Sequence, residues 1–213
     1  MRTPRGLTSS AAVVASALVL AGASVGAVVG VQTRGRSTLA PAAADRSPPR
    51  PVAATRARVE SVVDGDTVKL RHGGGIVTVR LLGLDTPETH DPRKPVQCFG
   101  PQAAARAVQL LSGASVWIAA DPGQSRHDRY GRELDYLWLA DGVLYDWLMI
   151  RDGFAHEYVY GTTPYVYHAA FHAAEADAHR GRLGLWSPAT CRGDTTRPAT
   201  GYGATPSAAR SPP

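Results

Sequence analysis

Five short runs in the middle of the chain gather β-branched, aromatic and aliphatic residues between glycines and aspartates. They are "RARVESVV" (56–63), "DTVKL" (66–70), "GIVTVRLLGL" (75–84), "SVWIAA" (115–120) and "ELDYLWLA" (133–140). Runs of this length and punctuation predict strands. Between the third and fourth, "GPQAAARAVQLLSG" (100–113) predicts a helix, with Pro101 near its start and Gly113 just past its end. After the fifth, "DGVLYDWLMIRDG" (141–153) predicts a short helix closed by Gly153. "TTPYVYHAAFHAAEADAHRGRLG" (162–184) predicts a longer one, with Thr163 as cap, Pro164 at the first helical position and Gly181 or Gly184 at the end. Strands come first and helices later. The expected fold is therefore α+β, mainly a five-stranded Greek-key barrel of the oligonucleotide-binding type, with three α-helices.

The pattern confines this domain to residues 56–192 of the 213. Residues 1–36 have Arg2 and Arg5 ahead of an uncharged, largely apolar stretch, Ala11 to Val31, which Arg34 and Arg36 follow. That is the profile of a signal peptide or a single signal anchor, since about 20 such residues span a bilayer core. Ala21-Gly22-Ala23 and Ala42-Ala43-Ala44 offer cleavage sites. The domain is expected to be secreted, or held on the outer face of the membrane. Residues 37–55 read as an Ala/Pro-rich linker and residues 193–213 as a disordered tail.

Charge adds less than the sequence pI near 9.5 suggests. Residues 1–44 hold four arginines and no acid, so 19 basic residues face 18 acidic ones in the remainder. Net charge thus does not argue for a nucleic-acid partner; only the placement of charges could. Cys98 and Cys191 are the two cysteines, and in an exported chain they are expected to form a disulfide. His168 and His172 have i, i+4 spacing in "HAAFH" but lack the glutamate of a zinc-protease helix, and they read as surface histidines.

The candidate chemistry lies at strand ends. Asp64-Gly65 reads as a hairpin turn, which leaves Asp66 at the start of the next strand, while Asp85 and Glu88 end another. Singly each acid suits a solvated strand end; together they can converge on one mouth of a barrel. Oxygen donors without Cys or His nearby favour a hard cation, Ca²⁺ or Mg²⁺. Arg80 shares an alternation with Ile76, Thr78, Leu82 and Leu84, read as an apolar face, where it needs an acid or an anion. "GQSRHDRYGR" adds Arg126, Arg129 and Arg132 around Tyr130, and "EYVY" puts Tyr158 and Tyr160 on one side of an extended segment. Arginines, a divalent cation and a spare carboxylate are the parts needed for phosphodiester hydrolysis.

The order "VVDGDTVKL", "RLLGLDTPET", "FGPQA", "DRYGRELDY", "YVY" and "LGLW", over about residues 57 to 188, closely resembles the staphylococcal nuclease (thermonuclease) family. The resemblance implies a five-stranded barrel with three helices, and calcium-dependent cleavage of DNA and RNA that leaves 3′-phosphates. It matches Asp66 and Asp85 to calcium-binding carboxylates, and Thr86 to a backbone-carbonyl ligand. Glu88 matches the general base, Arg80 and Arg132 the arginines on the scissile phosphate, and Arg129, Tyr130, Tyr158 and Tyr160 the nucleotide contacts. "THDPRKPVQC" differs in detail from the family's basic loop but keeps Arg93 and Lys94; Cys98 and Cys191 have no counterpart in the type protein. The expected partners are DNA and RNA as substrates of a monomer, with no protein partner indicated. The alternative is a non-catalytic nucleic-acid-binding barrel, which the presence together of Asp66, Asp85, Glu88, Arg80 and Arg132 disfavours.

Overall fold

The computed structural model describes residues 47–91 and 95–199. The N-terminal signal or anchor, Arg93, Lys94 and the last part of the tail lie outside them. The strands are β1 (Thr55–Val62), β2 (Thr67–His72), β3 (Gly75–Leu81), β4 (Leu84–Asp85), β5 (Ser115–Ala120), β6 (Glu133–Trp138) and β7 (His156–Glu157). The helices are α1 (Gly100–Leu111), α2 (Tyr145–Arg151) and α3 (His168–Gly181), and a 3₁₀ turn follows at Gly184–Trp186. Five strands close into a barrel in the order β1-β2-β3-β6-β5, with β3 and β6 parallel and the other pairings antiparallel. β4 and β7 form a separate two-stranded ribbon.

The alternation explains the barrel. On β1 and β2, Ala57, Val59, Val68 and Leu70 point inward, while Arg56, Arg58, Lys69 and Arg71 point outward. A bulge between Val59 and Ser61 bends β1. On β3 the inward residues are Val79 and Leu81. Ile76, Thr78 and Arg80 therefore occupy the outer face, not an apolar one as the run alone suggested. Trp138, Tyr136, Tyr145 and Phe171 fill the space between the barrel and the helices.

Two elements differ from the sequence pattern. The third run breaks after Leu81, because Gly83 takes φ +77° and a Cβ there would lie 2.6 Å from the Tyr165 ring. Gly83 releases β4 to pair with β7. The last helix starts at His168 rather than Pro164. The preceding segment is held elsewhere: the Val166 N–H donates to Asp121 Oδ2 (2.7 Å), and the buried Tyr165 hydroxyl donates to Glu157 Oε1 (2.7 Å). α3 ends at Gly181, with Arg182 in the left-handed region as its cap.

The packed part of the chain also extends past both borders of the 56–192 domain. In the stretch read as linker, the Trp138 indole donates to the Pro48 carbonyl (3.1 Å) and the Leu144 N–H to Ser47 Oγ (2.8 Å). In the stretch read as tail, Pro198 bridges to Gln97; the Cys98 N–H donates to the Arg197 carbonyl (2.8 Å) and the Ala199 N–H to the Val96 carbonyl (2.9 Å). Cys98 and Cys191 are bonded, with Cα atoms 5.8 Å apart. They form a small second core with Leu185, Phe99 and Trp186.

Candidate active site

The β1–β2 connection delivers Asp66. Asp64 Oδ1 accepts the Asp66 N–H (3.1 Å), an Asx turn that points both carboxylates to one side. Gly65 is needed for space rather than for a left-handed φ: a Cβ there would lie 2.5 Å from Thr86 Cγ2. The buried Tyr145 hydroxyl of α2 donates to the Gly65 carbonyl (2.8 Å) and fixes the loop from below. The buried Asp66 carboxylate accepts the Thr67 hydroxyl at Oδ1 (2.9 Å), and the Thr86 N–H and hydroxyl at Oδ2 (3.0 Å each).

Arg80 joins the strand ends. Its Nε lies 3.2 Å from Asp66 Oδ1, and one terminal nitrogen donates to Asp85 Oδ1 (3.0 Å). The other donates to the carbonyls of Leu81 (2.7 Å) and Leu84 (2.8 Å), across the Gly83 turn. One guanidinium is therefore paired with two carboxylates, those of Asp66 and Asp85, and the Asp64 carboxylate lies beside Asp66. Burial and then the Asp66 charge push Asp64 up to about 7, and the same two causes raise Asp85 despite Arg80. Asp85 is half-exposed and opens to the cleft.

Arg132 reaches the same place from the β5–β6 connection. Its Nε donates to Asp128 Oδ2 (2.7 Å), its N–H to Asp128 Oδ1 (3.0 Å), and a terminal nitrogen approaches Thr67 Oγ1 at 3.4 Å. Burial alone would raise Asp128, but the Arg132 side-chain and backbone hydrogen bonds and the Tyr130 N–H outweigh it and lower it. Asp128 is thus a charged clamp on Arg132. A cleft of about 470 Å³ is lined by Arg80, Asp85, Arg129, Tyr130, Arg132, Tyr158 and Tyr160, among others. Arg129 donates to the Tyr130 hydroxyl (2.6 Å), and the three tyrosines are exposed.

Glu88 is placed differently. Its Oε1 accepts the N–H groups of Thr89 (2.8 Å), His90 (2.7 Å) and Asp91 (3.2 Å), and it does not line the cleft. Its own N–H donates to Gln97 Oε1 (2.8 Å), and the Gln97 N–H donates to the Glu88 carbonyl (2.9 Å). The structure therefore brings Asp66, Asp85, Thr86, Arg80 and Arg132 together, with Arg129 and the tyrosines around the opening. It leaves Glu88 in a turn clamped by Gln97. Sequence reasoning missed Asp64, whose turn role hid its charge, and Asp128, whose signal is its i, i+4 spacing to Arg132. It also missed Gln97, for which no local signal exists.

The family described as staphylococcal nuclease homologue matches residues 78–188. The chain belongs to the staphylococcal nuclease family. Among curated relatives, it is 36% identical over 131 residues to the SPbeta prophage-derived endonuclease YokF of Bacillus subtilis, covering 61% of this chain and 43% of that protein. It is 35% identical to Endonuclease YncB of Bacillus subtilis, covering 61% and 60%. It is 33% identical to the Thermonuclease of Staphylococcus intermedius, covering 60% and 74%. The match thus spans less than two thirds of the length of the two Bacillus subtilis relatives. The closed barrel with three helices agrees with this staphylococcal nuclease membership.

The staphylococcal nuclease family implies a metal ion, and the donor set can be tested for one. Among the described residues no three acids, imidazoles or thiols are placed to hold an ion by themselves. The donors are all oxygen, and Asp66 and Asp85 share one arginine with Asp64 close to Asp66, so that Asp64 and Asp85 are both pushed toward protonation. A hard divalent cation that keeps waters and takes phosphate oxygens fits that surplus of negative charge.

Proposed function

We propose that the protein is a calcium-dependent nuclease, secreted or anchored outside the cell membrane, that hydrolyses DNA and RNA and leaves 3′-phosphates. The observation that carries the reading is the cleft in which Arg80, paired to both Asp66 and Asp85, stands opposite Arg132 and three exposed tyrosines. Asp66, Asp85 and the Thr86 carbonyl would hold the ion, which would act as a Lewis acid on a phosphate oxygen. Arg80 and Arg132 offer N–H donors to the non-bridging oxygens, where charge grows in the transition state. The tyrosines supply flat faces for the flanking bases. Glu88 is assigned the proton of the attacking water on the family resemblance; in this structure its carboxylate accepts three N–H groups and stands outside the cleft. The water oxygen bonds to phosphorus as the P–O5′ bond breaks, the 5′ oxygen takes up a proton from solvent, and the phosphate stays on the 3′ side.

The test is hydrolysis of DNA and of RNA by a protein comprising residues 45–213, with calcium and with excess chelator. Cleavage of both that depends on calcium, with 3′-phosphate ends, is the expected result. Full activity in chelator would refute the metal-assisted route, and binding without cleavage would favour the non-catalytic barrel.

A further inference from the structure

The outer face of β1 and β2 carries a cationic surface that the site chemistry does not use. Arg58 of β1 and Arg71 of β2 are direct cross-strand partners, with Lys69 two residues along β2 on the same side. Like charges directly opposite on a sheet repel, so the fold has no use for this pair by itself. Glu60 offsets Arg71 through an ion pair of 2.9 Å. Among the described residues no acid is paired with Arg56, Arg58 or Lys69. On the next strand pair, Arg56 lies opposite Trp117 of β5, and the guanidiniums of Arg50 and Arg56 lie 3.9 and 4.8 Å from the centre of its ring. Stacking holds these two cations flat on the barrel wall without neutralising them.

This face is continuous with the cleft. In the β2–β3 register, Thr67 lies opposite Arg80, Lys69 opposite Thr78, and Arg71 opposite Ile76. Residues two apart share a face, so one row runs outward from the arginine of the site to the basic pair. A second groove of about 420 Å³ shares His127, Tyr130 and Arg132 with the cleft and passes Thr78 and Ile76 on the β6 side of β3, with Glu133 in its wall; the basic residues of β1 and β2 lie across β3 from it. Ile76 is half-exposed, an apolar step between the site and the cations. From Thr67 to Arg71 is four residues, about 13 Å.

We propose that the outer face of β1, β2 and the start of β5 binds the substrate strand beyond the scissile phosphate, with Arg58, Lys69 and Arg71 on successive phosphates and the Arg50–Trp117–Arg56 stack at the far end. The occupant is a single nucleic-acid strand, because the row begins in the cleft that would hold its scissile phosphate. In this respect the inference rests on the nuclease reading. The device suits a domain whose overall charge is close to neutral: attraction comes from one face, not from the whole surface.

The experiment compares the wild type with the triple variant Arg58→Gln, Lys69→Gln, Arg71→Gln and with a control triple, Arg180→Gln, Arg182→Gln, Arg192→Gln. Binding of a single-stranded DNA of about 20 nucleotides is measured in a Glu88→Gln background from about 50 to 200 mM salt. Cleavage of a dinucleotide and of the same strand is measured with Glu88 intact. We expect the first triple to weaken binding about tenfold or more at the low-salt end, and to reduce the slope of log K against log salt by about 2, at roughly 0.7 per phosphate contact. It should raise KM for the long strand while leaving kcat/KM for the dinucleotide unchanged. An unchanged slope, or an equal loss in the control triple, would overturn the proposal. So would a loss of binding to vesicles of anionic lipid with DNA binding intact, which would assign the face to a membrane. If neither substrate were cleaved by the wild type, the nuclease reading would fall, while the binding slopes would still decide the track.

Discussion

Removing the Cys98–Cys191 bond tests stability and the site together. The bond closes a loop with a sequence separation of 93. In the chain-entropy picture such a loop stabilises the folded state by about 4.6 kcal/mol, and measured disulfides typically contribute about 2–4 kcal/mol. At about 2–4 °C per kcal/mol for a domain of this size, the melting temperature should fall by at least about 4 °C and by as much as roughly 18 °C. From the sequence, the bond stands clear of the metal site, and reduction should spare activity. The structure changes that expectation. Cys98 follows Gln97, whose two hydrogen bonds to the Glu88 backbone hold the Glu88 turn, and the neighbouring backbone is paired to Arg197 and Ala199. Each bond of that clamp is worth about 1 kcal/mol net. Loosening one lowers the equilibrium constant for the ordered turn about fivefold, and loosening both about thirtyfold, which are upper limits on the fall in its ordered fraction. The double variant Cys98→Ser, Cys191→Ser should therefore lose kcat measurably, by up to about thirtyfold, well below its melting transition, with nucleotide affinity little changed. Calorimetry gives the first quantity and steady-state kinetics the second. An unchanged melting temperature would refute the entropic argument, and an unchanged kcat would refute the coupling through Gln97.

Glu88→Gln should lower kcat about 10²–10⁴-fold while sparing nucleotide binding, and near-normal turnover would remove Glu88 from the role of base. Arg132→Lys should be nearly as damaging as Arg132→Ala, because lysine lacks the planar fork that Asp128 aligns; wild-type turnover in the lysine variant would contradict this. Gly83→Ala should destabilise by more than about 2 kcal/mol, since the residue would need a left-handed φ and would meet the Tyr165 ring; denaturant midpoints read it directly. Burial opposes the lowering of the Glu175 carboxyl, but hydrogen bonds from His156 and the Glu157 N–H prevail. A lowered carboxyl stabilises fully above the ordinary glutamate value of 4.5, and that part is lost as pH falls through its depressed value. Glu175→Gln should therefore cost stability at neutral pH and flatten the acid limb, and a melting-temperature profile across that range checks both.

Period-two alternation in "RARVESVV" and "DTVKL" and the Pro and Gly signals around "PQAAARAVQLL" are local properties. They determined that β1, β2 and α1 exist and which of their residues face inward. The motif order placed Asp66, Arg80, Asp85, Thr86 and Arg132 as one set through the family resemblance it carries, and each lies at or beside a strand end. What the local pattern does not record is which residue lies opposite. Closure of the barrel by the parallel β3–β6 pair, the facing of Arg58 and Arg71, and the meeting of Arg132 with Thr67 all depend on long-range register. The break at Gly83 goes with the Tyr165 ring packed over it, and the late start of α3 with the bond of Val166 to Asp121, both contacts between residues far apart in sequence. Gln97 is a polar residue in a loop by every local measure; it becomes the clamp on Glu88 because tertiary packing gives two backbone groups their hydrogen-bond partners there.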